Sequence, residues 1–391
     1  MKFRSKYNHI VHYLLMIGFF AYPIMIRKLI LPDIISPFNF FYLAIEMLTI
    51  IFYGLKFKKR KLWIVLVIEV LSIAQIVSNI KSHSVIFTIC AYITIVLPLV
   101  MFMLDDYVVI TYKQARKLLM FFNIIIILIT LTGLLNVISD GWGASTFWLF
   151  LSKNDNSTRL WSIYGHPLFN TYLLLLFYIF NYYNNKYGKK LINNVLCLLI
   201  SLIGVLFTAS RTGIVLLFFL FLVSNYKSLK MTIVEILAFL IAYFGGLYEL
   251  LIERFTTISF TNGRIDTYLY LMKQSYFVPY KIFDGYGTGY AFNIYSNYLS
   301  WASSAFEFPF LCYLLEYGYV FTILYYFLSL CYPCYILVKK RQWHLLACLL
   351  VIELDMNTFN GITLANDYQF VYIMTIISIL AISKGIDRRG V

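Results

Sequence analysis

LINNVLCLLISLIGVLFTASRTGIVLLFFLFLVSNY, residues 191–226, contains one charged side chain, Arg211, and none of the others between Lys190 and Lys227. As one helix, these 36 residues would measure about 54 Å at 1.5 Å per residue. The hydrocarbon core of a bilayer is only about 30 Å thick. One crossing cannot hold the stretch, but two can if the chain turns near residues 210–213. Arg211 then sits at the tip of a tight hairpin. A guanidinium at mid-bilayer costs several kcal/mol and much less at an interface.

The rest of the chain follows the same pattern. Of its 391 residues, 61% are hydrophobic and 13% charged, and the mean hydropathy is +0.78. A soluble domain carries about 25% charged residues. The fold class expected is all-α: a single polytopic integral membrane domain, residues 1–391, with about twelve transmembrane helices. The spans fall at 10–26, 38–55, 62–80, 85–104, 118–138, 164–183, 191–209, 212–226, 231–251, 308–338, 344–360 and 364–383. The tenth is too long for one straight crossing and is expected to begin as an interfacial segment. Lys2, Arg4 and Lys6 before the apolar run from Ile10 imitate a signal peptide. No small-x-small cleavage site follows before Arg27, so the run is read as a retained first span.

Placement of the cations sets the orientation. With the N-terminus inside, 22 of the 32 Lys and Arg fall in inner segments, 10 in outer loops and none within a span. The positive-inside rule then puts both termini in the cytoplasm, with the chain in the cell (cytoplasmic) membrane. The net charge of +14 becomes a topology signal, with some affinity for anionic lipid, and nucleic acid is not an expected partner.

Two outer loops are long, 139–163 and 252–307, and long loops with content are usually functional. In the second, Thr261-Asn262-Gly263 marks a turn and a helix start. Ile265, Leu269, Met272 and Tyr276 then recur at helical spacing, with Arg264, Asp266 and Lys273 off that line. This suits a helix lying on the outer membrane surface. DGYGTGY (284–290) follows, then the aromatics Phe292, Tyr295, Tyr298 and Trp301. The glycines of GYGTG permit a tight turn or an amide nest for an anion, and the turn is favoured. No internal repeat is visible, which weakens an inverted-repeat transporter.

All six cysteines lie in apolar stretches, where they act as small hydrophobes. Cys331-Tyr332-Pro333-Cys334 has redox spacing but no βαβ context. Asp105-Asp106 looks like a metal pair, yet the charge count puts it inside. No metal or cofactor is expected. Glu46, Glu69, Glu235, Glu249, Glu316, Glu353 and Asp355 fall within spans, and such acids are functional candidates by default. Asp355, near the outer end of its span, is a candidate to line a cavity. Glu316 is expected to bond a neighbouring helix.

The outer face gathers Arg159, His166, Arg211, Arg254 and Arg264. Arg binds phosphate bidentately, and aromatic rings stack on sugar faces, so a substrate with phosphate and sugar is implied. The plainer alternative for each is an interfacial or structural role.

An arginine followed by GHP opening a span, SRTG between two spans, an outer loop with GR and GYGTG, then EFPFLCYLLEYG (307–318) entering the next span together resemble the Wzy-type O-antigen and capsule repeat-unit polymerases. These share a superfamily with the O-antigen ligases. The resemblance covers roughly residues 155–340. It implies a glycosyltransferase without a metal, whose substrate is a polyprenyl-pyrophosphate-linked oligosaccharide on the outer face. Other polysaccharide-assembly membrane proteins are implied as further partners. Arg211 and Arg264 match the arginines thought to hold pyrophosphate. Where the ligase-type loop has a His ahead of its L.E.G segment, this chain has Glu307, which the resemblance makes the candidate base. Arg159, His166, Arg254 and Asp355 are candidate substrate contacts. A ligase-like glycan transferase and a lipid-linked oligosaccharide flippase or transporter are the alternatives.

The topology carries a direct expectation. A cysteine placed at Ser303, with the native thiols replaced, is expected to react with an impermeant reagent added outside intact cells. Reaction only after permeabilisation would overturn the twelve-span arrangement.

Overall fold

The structure, a computed structural model, describes residues 47, 59–79, 89–103, 112–138, 159–160, 162, 166–225, 227–244, 264–274, 279–291, 308–363 and 368–387. The spans expected at 10–26 and 38–55 lie outside the described residues, apart from Met47. The described residues are helical and form no strand. Among them, Pro309–Lys339 and Tyr368–Ile386 are long and apolar enough to cross a membrane, and five shorter apolar helices of 10–17 residues accompany them.

In chain order the helices are α1 (Lys59–Asn79), α2 (Ile89–Met103), α3 (Tyr112–Ile138), α4 (Pro167–Tyr187), α5 (Asn194–Thr208) and α6 (Arg211–Asn225). Then come α7 (Leu229–Phe244), α8 (Arg264–Met272), α9 (Pro309–Lys339), α10 (Trp343–Met356) and α11 (Tyr368–Asp387). The segment 191–226 is two helices, as its length requires. Asn193 caps the first through its Oδ1, which accepts from the Val195 amide at 3.2 Å.

α4 is the centre of the packing. It touches α3, α5, α6 and α10 and is buried over most of its length, as expected of a helix that is apolar on all sides. Side-chain contacts fix how its neighbours run. Asn123 and Asn181 exchange amide hydrogen bonds at 2.9 and 2.7 Å, which sets α3 antiparallel to α4. Tyr183 Oη lies 3.0 Å from His344 Nδ1, setting α10 antiparallel as well. Lys340 Nζ bonds Ser383 Oγ at 3.2 Å, and Tyr182 Oη donates to Ser224 O at 2.9 Å. These contacts collect Arg116, Lys117, Lys186, Lys227, Lys339, Lys340 and Lys384 at one end of the bundle. The α5–α6 turn and the starts of α4 and α11 lie at the other.

The flanks are apolar. Trp63, Val70, Leu135, Ile241 and Phe244 are each more than 60% exposed.

Two helices depart from regular geometry. In α2 a π-turn, Tyr92–Val96, runs into a 3-10 segment, Leu97–Met103. Pro98 lies at the junction and removes a backbone donor from the ladder. α9 breaks at Gly318, whose φ of 85° and ψ of 176° fall in a region open essentially to glycine alone. The break would orphan main-chain groups of residues 315–320, and a buried orphan is costly. Residues 281–287 supply the partners. Tyr286 N donates to Leu315 O (2.8 Å) and Gly287 N to Glu316 O (3.1 Å). Tyr319 N donates to Lys281 O (3.1 Å) and Val320 N to Ile282 O (3.0 Å). Tyr313, Tyr317, Phe321 and Tyr325 form a buried column across the break, with Tyr317 and Phe321 stacked at 4.4 Å.

A Cβ on residue 318 would come within 3.0 Å of Lys281 O and 3.1 Å of Ile282 O. Gly318→Ala is therefore expected to cost about 1–3 kcal/mol through backbone strain. It should lower the thermal unfolding midpoint of the detergent-solubilised protein, and an unchanged midpoint would mean that the break relaxes freely.

Candidate functional site at the α5–α6 turn

Two residues, Ala209 and Ser210, join α5 to α6. Ala209 is left-handed, with φ 50° and ψ 34°, and its amide closes on Leu206 O at 2.9 Å. Only one other described non-glycine residue, Arg341, has positive φ. Such strain persists where the surroundings enforce it. Ser210 caps α6: its Oγ accepts from the Gly213 amide at 3.0 Å and its carbonyl from the Ile214 amide at 3.1 Å. Arg211 is thus the first helical residue, half-buried, at the positive end of the helix dipole.

The 159–171 region encloses this turn. Arg159 Nε donates to Thr208 O at 2.9 Å, and the Leu160 amide donates to Phe207 O at 2.7 Å. Asn170 holds the strand-like segment by donating to Leu160 O at 3.0 Å and accepting from Ser162 Oγ at 2.8 Å. Thr171 Oγ1 donates to Thr208 Oγ1 at 2.8 Å. Close approach demands Gly213, because a Cβ there would lie 2.3 Å from Thr171 Cγ2.

His166 caps α4, with Nδ1 accepting from the Leu168 amide at 3.2 Å and Pro167 in the first helical position. The starts of α4 and α6 therefore face the same end, and guanidinium groups beside two helix starts suit an anion. Phe169 stacks on Tyr368 at 3.8 Å between ring centres, and Phe359 meets Tyr368 edge-on at 6.3 Å. These rings bring the start of α11 and the end of α10 to the same face.

The structure thus joins Arg159, His166 and Arg211 around one turn. Arg264 opens α8, which lies elsewhere on the surface and is tied to the start of α9: Tyr268 packs on Phe308 at 6.3 Å. Asp266 in the first turn of α8 suits the helix dipole. Ile265, Leu269 and Met272 are exposed, so the apolar face of α8 points outward. Arg254 and Glu307 lie outside the described residues. Asp355 is buried in the core near the end of α10, and its Oδ2 has no hydrogen-bond partner among the described residues.

Glu316 does not bond a neighbouring helix through its carboxylate, as the sequence suggested. Its carboxyl Oε1 accepts from the Ala291 amide at 3.2 Å, its Oε2 has no hydrogen-bond partner among the described residues, and Gln75 of α1 donates to its carbonyl at 2.8 Å. The GYGTG loop is accordingly a turn, and it packs its main chain against the Glu316 carboxyl group. Cys331 and Cys334 are free thiols within α9. Among the described residues no three acids, histidines or cysteines group to hold a metal.

Sequence reasoning missed Thr171, Thr208 and Asn170, which are polar residues in apolar helices and resemble ordinary helix fillers. The Ser210 cap was legible from Ser followed three residues later by Gly at the head of an apolar run. Comparisons of the chain with family models, curated proteins and solved structures give no match.

Losing the cap should loosen this turn specifically. Ser210→Ala is expected to cost about 0.5–2 kcal/mol locally, read as faster hydrogen exchange at residues 212–214 with the bundle core unchanged. Unchanged exchange there would remove Ser210 from the account of the turn.

Proposed function

We propose that this chain is a polytopic membrane enzyme that joins polyprenyl-pyrophosphate-linked oligosaccharide repeat units on the outer face of the cytoplasmic membrane. The observation carrying the proposal is the α5–α6 turn: Arg159 and Arg211 flank it, and the starts of two helices face the same way. Support for a membrane comes from the exposed apolar flanks. The lysine-rich opposite end agrees with a cytoplasmic side under the positive-inside rule, which would put the arginine end outside. The sequence resemblance supplies the substrate class.

The chemistry needs few groups. An acceptor hydroxyl attacks the anomeric carbon of the donor glycan, the bond to the pyrophosphate oxygen breaks, and polyprenyl pyrophosphate leaves. A carboxylate within hydrogen-bond reach takes the hydroxyl proton, the role assigned to Glu307. Arg211 and Arg264 stabilise the charge growing on the leaving pyrophosphate, with Arg159, His166 and Arg254 around the donor. Pyrophosphate leaves readily, so the proposal includes no metal.

A lipid-linked oligosaccharide transporter is the second reading, and two observations favour it. α9 is discontinuous at Gly318, as transporter helices often are near their sites. Glu353 and Asp355 also lie buried in the same bundle, each with a carboxylate oxygen that has no partner among the described residues.

Lipid-linked glycans in cells carrying Arg211→Ala separate the two. The polymerase predicts normal protein levels, single repeat units accumulating on the outer leaflet, and no polymer. Arg211→Lys should retain less polymer than charge alone implies, since Lys lacks the planar fork. Units trapped on the inner leaflet would instead indicate the transporter, and full polymer from the Ala variant would leave Arg211 an interfacial arginine.

A further inference from the structure

The clasp between α9 and the outer loop has a reach beyond the break it repairs. Glu316 is 4% exposed and sits two residues before Gly318. Its carboxyl Oε1 accepts from the Ala291 amide at 3.2 Å, its carbonyl takes the Gly287 amide at 3.1 Å, and Gln75 braces that carbonyl at 2.8 Å. Gly285, with φ +55°, lets the loop pass so near that a Cβ would fall 2.2 Å from Glu316 O. Thr288 Oγ1 and Tyr317 Oη, 3.0 Å apart, close the other side.

The loop then hands this position on. Tyr280 stacks edge-on against Tyr319 of α9 at 5.9 Å and shares a hydrogen bond with Tyr268 of α8, oxygen to oxygen 3.0 Å. Burial pushes the Tyr280 hydroxyl up from its ordinary value, and the bond to Tyr268 adds to this, so it keeps its proton and the link persists. Tyr268 also packs on Phe308, the residue after Glu307. Tyr268 lies one helical turn beyond Arg264. The chain of contacts runs from Glu316 through the glycine loop and Tyr280 to the helix that begins with Arg264.

We infer that Glu316 is a positioning residue: by clasping residues 285–291 against the broken helix, it sets where α8, and with it Arg264, stands relative to the bundle. Its value for catalysis rests on the polymerase proposal, whereas the clasp itself does not. Two features favour positioning over proton transfer. The carboxyl Oε1 is engaged by a main-chain amide, which carries no transferable proton at neutral pH. It is also enclosed by the loop it holds.

The test joins a spectroscopic readout to turnover in the purified full chain. A nitroxide attached at Lys273, exposed at the end of α8, reports the mobility of that helix after the native cysteines are replaced. Glu316→Ala removes the acceptor and should mobilise the label. Glu316→Gln keeps a carbonyl for the amide and should restore most of the immobile signal. Tyr268→Phe cuts the link without touching α9 and should mobilise the label while thermal unfolding stays near that of the parent protein. With synthetic lipid-linked repeat units, turnover should fall about 10- to 100-fold in Glu316→Ala, the scale of a misplaced group, and should recover in Glu316→Gln. An immobile label in both Glu316→Ala and Tyr268→Phe overturns the clasp. A mobilised label with turnover unchanged overturns the positioning role and leaves the clasp standing. Turnover as low in Glu316→Gln as in Glu316→Ala, with the label immobile in the Gln variant, overturns positioning in favour of proton transfer. A parent protein that polymerises nothing while the label responds as stated rejects the polymerase proposal alone.

Discussion

Every main-chain amide and carbonyl in an apolar interior must find a partner, and at Gly318 the helix cannot provide one. Four hydrogen bonds from residues 281–287 close the gap. That requirement fixes the place of the glycine loop, and the loop in turn ties α8 to the bundle. Glycine appears at 285 and 318 for two linked reasons. At 318 the backbone needs a conformation closed to other residues, and at 285 two backbones approach too closely for a side chain. A buried aromatic column spanning the break keeps the two halves of α9 in line.

The tyrosines do more inside the protein than the sequence implied. Tyr172, Tyr313, Tyr317, Tyr325 and Tyr372 are fully enclosed or nearly so. Each combines a large apolar ring with a hydroxyl that needs a partner. Tyr172 donates to Thr375 Oγ1 at 2.7 Å and Tyr313 to Ile362 O at 2.7 Å. Tyr372 donates to Glu353. Part of the aromatic content therefore serves the core, where hydroxyl pairing gives directional contacts that Leu or Ile would lack. A high aromatic content can arise this way without any ligand.

At the α5–α6 turn, strain and charge occur together. A left-handed Ala209, a serine cap and the Arg159 guanidinium meet within four residues, and polar contacts from α4 hold them. Arg159 donates to Thr208 O with Nε, so part of its fork is committed to building the turn. Arg211, first in its helix, benefits from no favourable dipole there, since a cation at a helix start is disfavoured.

Composition and length by themselves determined that the described chain is helical and that residues 191–226 form two helices. Helices satisfy their own backbone, and a fixed rise per residue limits how much chain one can hold. Tertiary structure alone decided that Arg159 docks on Thr208, because that bond joins residues 49 apart. It alone decided that residues 281–287 satisfy the break in α9. Sequence periodicity records which residues are apolar, but not which distant carbonyl lies within hydrogen-bond reach. Glu316 shows the difference: as a letter it is an acid in an apolar stretch, and only the folded chain reveals that its partner is the glycine loop beside it.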